Sequence, residues 1–122
     1  MGADALAGDP LGHLCLTNNT YADIILSLLG FNKPILATGG GGYNVDNTAR
    51  AWALAWSVMC SGGDYRQTNI GLGGVMLEST DWQGGLRDRE LVVTSQQRDL
   101  VLPAVEATIK AVKDNVFALH GL

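Results

Sequence analysis

Tyr21, Ile24, Ile25, Leu28 and Leu29 recur at i, i+3, i+4, i+7 and i+8, the spacing of one apolar helical face. Thr17, Asn18, Asn19 and Thr20 precede the run with side-chain oxygens suited to a helix start, and Gly30 is a natural stop. The rhythm then changes. Pro34 to Thr38 is a short apolar run that fits a buried strand of a parallel sheet, and Gly39 to Gly42 follows at once. Asn44 to Asn47 suit the cap of a second helix, whose expected face is Trp52, Ala53, Trp56, Met59 and Cys60. Trp52 and Trp56, four apart, read as core rather than as a stacking platform. Near the end Pro103 suits the first turn of a helix with a face of Val105, Ile109, Val112 and Val116, and Lys110 and Lys113 complement its dipole.

Helix, strand, glycine loop, helix is α/β grammar. Ligands of such sheets bind beyond the carboxyl ends of the strands, which directs attention to Gly39 to Tyr43. Met1 to Leu16 reads as loop, with a Gly8-Asp9-Pro10 turn. Ser61 to Gln97 reads as mostly loop, broken by the short apolar stretches Val75 to Leu77 and Leu91 to Val93. No repeat or linker divides the chain, so residues 1–122 are expected to form one partial domain.

Composition changes the picture little. Sixteen glycines fall in clusters without a period, which marks turns and not a fibrous repeat. A net charge of −4 leaves no basic footprint for nucleic acid. No apolar run is long enough to span a membrane, and no secretory signal opens the chain. Cys15 and Cys60 lack a CxxC spacing, so buried or reduced thiols in a cytoplasmic protein are expected.

The strongest local signal for chemistry is Gly39-Gly40-Gly41-Gly42-Tyr43. Glycines after a strand let the backbone approach a ligand, and a tyrosine closing the loop would offer its phenol to developing negative charge. A tight turn with a packed tyrosine is the plainer reading. A phosphate loop is a third, although the following Lys-Ser/Thr is missing. A second signal is Gly2-Ala3-Asp4-Ala5-Leu6-Ala7-Gly8-Asp9-Pro10, where either carboxylate suits a metal as well as a turn or cap. His13 and His120 have no partner at metal-ligand spacing, and Arg50 needs a partner if buried.

Together and in this order, the two signals resemble the histone deacetylase and acetoin-utilisation deacetylase family. Gly2 to Gly12 resembles the segment around that family's last metal-binding aspartate, with Cys15 replacing a usual Asn in the Leu14 to Thr17 stretch. Pro34 to Tyr43 resembles its strand and glycine loop, and Asn47-Thr48-Ala49-Arg50-Ala51-Trp52 matches the Asn-x-x-Arg-x-Trp that follows. His13 and the ending Phe117 to Leu122 are nearest to the bacterial acetoin-utilisation branch. The resemblance is strong from Gly2 to about Cys60 and thinner beyond.

It implies the carboxy-terminal part of an arginase/deacetylase-like parallel-sheet domain, truncated at its N-terminal side. It further implies Asp4 as a metal ligand, since Asp4 rather than Asp9 keeps the family's separation from the tyrosine. Tyr43 would polarise the scissile amide carbonyl, and Gly41 and Gly42 would line the acyl-lysine channel. The implied cofactor is Zn2+ or another divalent metal, which activates water for hydrolysis of acetyl-lysine or an acetyl amine. The family's histidine pair and Asp-x-His ligands lie upstream of the first motif, so the chain is expected to be inactive alone and to need the missing N-terminal part of the domain. A catalytically dead fragment, or a small α/β module binding an anion at Gly39 to Gly42, are the alternatives. Without most of its sheet, Pro34 to Thr38 would expose unpaired edges, which predicts association of the isolated chain.

Overall fold

The protein is described by a computed structural model that covers residues 1–61, 85–88 and 92–121. Three α-helices carry it: α1 (Asn18–Leu29), α2 (Val45–Ser61) and α3 (Ser95–Asn115), with short 3-10 turns at Ala3–Ala5 and Phe117–His120. By contacts the chain forms two compact units, Met1–Glu90 and Leu91–Leu122.

In the first unit α1 spans the expected residues up to Gly30, with Thr17 extended at its N-cap but making no side-chain cap hydrogen bond. The helix packs against α2. Ala22 and Ile25 of α1 meet Leu54, Ala55 and Val58 of α2, and Leu86 closes the cluster. A smaller cluster of Ala3, Leu6 and Ala51, with Tyr21 against it, fixes the amino-terminal loop on the two helices. The α2 face expected from the sequence is met in part: Ala53 and Met59 pack against the core, but Trp52 is 40% and Trp56 68% exposed, and Ala51, Leu54, Ala55 and Val58 are the buried residues. Small side chains let the helices come close, and two indoles would hold them apart.

The parallel-sheet α/β architecture is corrected. Among the described residues there is no strand, only an isolated parallel bridge between Leu6 and Leu16. Pro34 to Thr38 is exposed throughout, with Leu36 at 91%. A strand exists only as a ladder of paired amides and carbonyls. Here the Met1 ammonium donates to Thr38 O (2.7 Å) and Ala3 N–H to Gly41 O (2.5 Å), and these two isolated bonds do not make a ladder.

A three-residue segment returns to this unit from far along the chain. Asn18, fully buried at the start of α1, donates from Nδ2 to Leu86 O (2.7 Å) and accepts from Asp88 N–H (2.8 Å). Asp88 Oδ2 in turn accepts the Asn18 N–H (2.8 Å), one of the donors a helix start leaves unpaired. Arg87 Nε donates to Asn19 Oδ1 (2.8 Å). Most of the Ser61 to Gln97 loop expected from the sequence, including Val75 to Leu77, lies outside the described residues.

In the second unit α3 begins eight residues before Pro103, so the proline sits inside the helix and does not open it. The start is a capping box: Thr94 Oγ1 accepts from Gln97 N–H, and Gln97 Oε1 accepts from Thr94 N–H. This reciprocal pair outweighs the pull of proline toward a first turn. None of the described residues of α3 is buried. Of the buried or reduced thiols expected, Cys15 and Cys60 are exposed rather than buried, and both are free of disulfides. No helix among the described residues is long and apolar enough to cross a membrane.

Candidate functional site

Asp4 lies in the 3-10 turn Ala3–Ala5, whose Ala3 is buried against Leu6 and Ala51. The Tyr21 hydroxyl of α1 donates to Gly2 O and so holds the residue pair before Asp4. Burial and the nearby Asp4 carboxylate both push the Tyr21 phenol above its ordinary range, which keeps it a neutral donor. The Asp4 carboxylate faces the glycine loop so closely that a Cβ at Gly41 would run into its Oδ2. Gly41 therefore answers to a close approach, the use glycine serves where a side chain has no room. Gly42 answers to backbone geometry, with φ at 147° and Thr48 Oγ1 where a Cβ would stand.

Tyr43 follows. The residue is 55% exposed, and its phenol makes no hydrogen bond to another described residue. Its backbone is held: Tyr43 N–H donates to Asp9 Oδ2 at 2.8 Å. The other oxygen of Asp9 accepts Leu11 N–H and Gly12 N–H, each at 2.8 Å. Asp9 is only 7% exposed. Burial would raise its pKa, but the backbone donors of Tyr43, Gly12, Leu11 and Asn44 together hold it below the ordinary carboxylate value. A turn role for Asp9 was legible in Gly8-Asp9-Pro10. Its reach to Tyr43 was not.

The start of α2 ties the two loops together. Asn44 Oδ1 accepts Asn47 N–H (3.2 Å) as a cap, and Asn44 Nδ2 donates to Gly8 O (3.3 Å). Asn47 Nδ2 donates to Ala7 O (2.9 Å), while its Oδ1 accepts from Arg50 (2.9 Å). Arg50 has the partner it needs, an ion pair with Asp88 Oδ1 at 2.8 Å. One turn of helix thus fixes both the carbonyls after Asp4 and the segment that caps α1.

The structure brings Asp4, Gly41 and the backbone of Tyr43 into one locality. His13 is exposed with φ at 49°, and His120 belongs to the second unit. Among the described residues no three His, Cys, Asp or Glu side chains are grouped to hold a metal. A catalytic zinc needs about three protein ligands, so Asp4 with its described neighbours does not make a zinc site. An anion at Gly39 to Gly42 is disfavoured by the Asp4 carboxylate already seated against Gly41.

Comparison with known proteins matches residues 1–59 to the family described as histone deacetylase domain. Type-1 histone deacetylase 1 of Dictyostelium discoideum is 45% identical over 58 residues, which is 48% of this chain and 12% of that protein. Histone deacetylase 7 of Arabidopsis thaliana is 45% identical over 57 residues, 47% of this chain and 14% of that protein. Histone deacetylase 8 of Danio rerio is 46% identical over 52 residues, 43% of this chain and 14% of that protein. No solved structure matches. The relatives are histone deacetylases, and none of these three is named for acetoin utilisation. Asp4, the glycine loop, Tyr43 and the Asn47 to Arg50 turn all fall inside the matched stretch, so residues 1–59 are similar to a segment of the histone deacetylase domain, and the chain spans only 12 to 14% of the length of these relatives.

Proposed function

We propose that this chain carries part of the site of a zinc-dependent deacetylase acting on acetyl-lysine or a related acetyl amide. The observation that supports the reading is the Asp4 carboxylate seated against Gly41, two residues before Tyr43, within the stretch similar to histone deacetylases. Asp4 would contribute one oxygen ligand to a divalent metal, its other ligands coming from beyond the described residues. Tyr43 would donate its phenolic proton in a hydrogen bond to the amide carbonyl as that oxygen gains negative charge. Gly41 and Gly42 would present bare backbone to the acyl chain, since neither has room for a side chain. The free, exposed thiols of Cys15 and Cys60 agree with a reducing, cytoplasmic setting.

With Asp4 the one metal-binding carboxylate proposed among the described residues, the chain by itself is expected not to hydrolyse. The test is acetate release from an acetyl-lysine peptide with and without zinc, by the chain alone and by a form extended upstream in its reading frame. Release by the extended form only, abolished by Asp4→Ala and by Tyr43→Phe, is the expected result. No release from either form overturns the reading.

A further inference from the structure

We propose that Asp9 is the positioning residue of this site, a single carboxylate that sets the backbone of Tyr43 against Asp4. A turn needs only one of its oxygens, and Oδ1 fulfils that need with Leu11 and Gly12. The second oxygen reaches across 34 residues of sequence to Tyr43 N–H. Gly12, held by the first oxygen, lies so close to the Asp4 backbone carbonyl that a Cβ there would collide with it. One carboxylate thus bonds Tyr43 N–H directly and, through Gly12, holds the turn that lies against the Asp4 carbonyl. Asn44 and Asn47 also join the loops, but they hold the carbonyls of Gly8 and Ala7 and leave Tyr43 itself untouched. Asp9 touches neither metal nor substrate in this account. Its effect on chemistry passes through Tyr43, and that purpose rests on the deacetylase reading, whereas the tie itself does not.

An amide at this position fails for a stated reason. The groups facing Asp9 are all backbone N–H donors, among them those of Leu11, Gly12 and Tyr43, so Asp9→Asn must turn an NH2 toward at least one of them. Asp9→Glu keeps the charge and two acceptor oxygens on a longer stem.

The experiment is amide hydrogen exchange by mass spectrometry on the full chain and on its Asp9→Asn and Asp9→Glu variants. It is joined to kinetics of the same substitutions in the form that releases acetate. Exchange should quicken roughly tenfold or more at residues 11–12 and 43 in Asp9→Asn, the size expected for losing a hydrogen bond to a charged group. Peptides from α1 and α2 should keep their protection. In the hydrolysing form, kcat should fall about tenfold or more with KM within about twofold, because misplacing Tyr43 harms the transition state and not binding. Asp9→Glu should recover part of both. Unchanged exchange overturns the tie. Exchange that quickens equally in α1 and α2 overturns it too, since Asp9 would then serve the fold at large. Locally faster exchange with kcat unchanged overturns the catalytic purpose. Absence of hydrolysis from every form, with exchange still locally faster, sinks the deacetylase reading and leaves the tie standing.

Discussion

The two units of the chain are held by different kinds of interaction. In Met1–Glu90 the described buried residues are mostly apolar side chains from both helices, the amino-terminal loop and Leu86, with the polar Asn18 and Asp9 beside them. Polar side chains there reach across 34 residues from Asp9 to Tyr43 and 70 from Asn18 to Asp88. Among the described residues of Leu91–Leu122, none is buried, and side-chain hydrogen bonds span three or four residues. The first unit is therefore specified by tertiary contacts, and the second by local helix signals. Substitutions of the same type should have unequal effects in the two.

The largest difference should come from truncating an apolar side chain. Leu54 is 1% exposed at the centre of the α1–α2 contact, so Leu54→Ala should cost about 2–5 kcal/mol in denaturant unfolding. Val105 of α3 is 43% exposed, and Val105→Ala should stay within about 0.5 kcal/mol. Equal costs would end the contrast between the units.

Asn18 tests the polar half of the same claim. Asn18→Leu fills similar space but strands Leu86 O and Asp88 N–H, both paired with its side chain. An unmet buried polar group costs about 1–3 kcal/mol, so a loss of about 2–3 kcal/mol is expected in the same measurement. A neutral result would mean that segment 85–88 contributes little to holding α1.

What the sequence reveals follows the range of each interaction. The extent of α1 was legible because Gly30 closes an apolar spacing that lies within one element, although the Thr17 side chain does not cap its start. The position of α2 was legible, and its buried face only in part, through Ala53 and Met59. Hydrophobicity ranks Trp52 and Trp56 above Ala51 and Ala55, whereas close helix packing prefers the small residues. Pro34 to Thr38 has a strand's composition without a strand's neighbours, and a ladder is never a local property. For the candidate site, the motif order pointed to Asp4 and Tyr43, and the turn of Asp9 could be read from Gly8 and Pro10. The bond from Asp9 to Tyr43 left no local trace, and the Thr94-x-x-Gln97 capping spacing was present in the sequence but masked by Pro103.

Gly41→Ala sharpens the comparison at the site itself. The new methyl would meet Asp4 Oδ2, so either the carboxylate or the loop must move, at a cost of about 1–3 kcal/mol. The matching change in the second unit is Gly121→Ala, where nothing lies within 4 Å and only the positive φ of 70° opposes the side chain. Unfolding midpoints should fall further for Gly41→Ala than for Gly121→Ala. The reverse order would mean that the Asp4–Gly41 approach relaxes freely.

The smallest effect expected belongs to the second unit and is of its own kind. Thr94→Ala removes both the acceptor for Gln97 N–H and the hydroxyl that meets Gln97 Oε1. Loss of such a cap costs about 1 kcal/mol. With no buried residue in α3 to oppose fraying, that loss should appear as reduced helical circular dichroism before any unfolding transition. The unfolding midpoint of the α1–α2 core, followed by tryptophan fluorescence in a Trp82→Phe background that leaves Trp52 and Trp56, should not move. If helicity held and that midpoint fell instead, the stability of α3 would come from contacts with the rest of the chain and not from its own sequence.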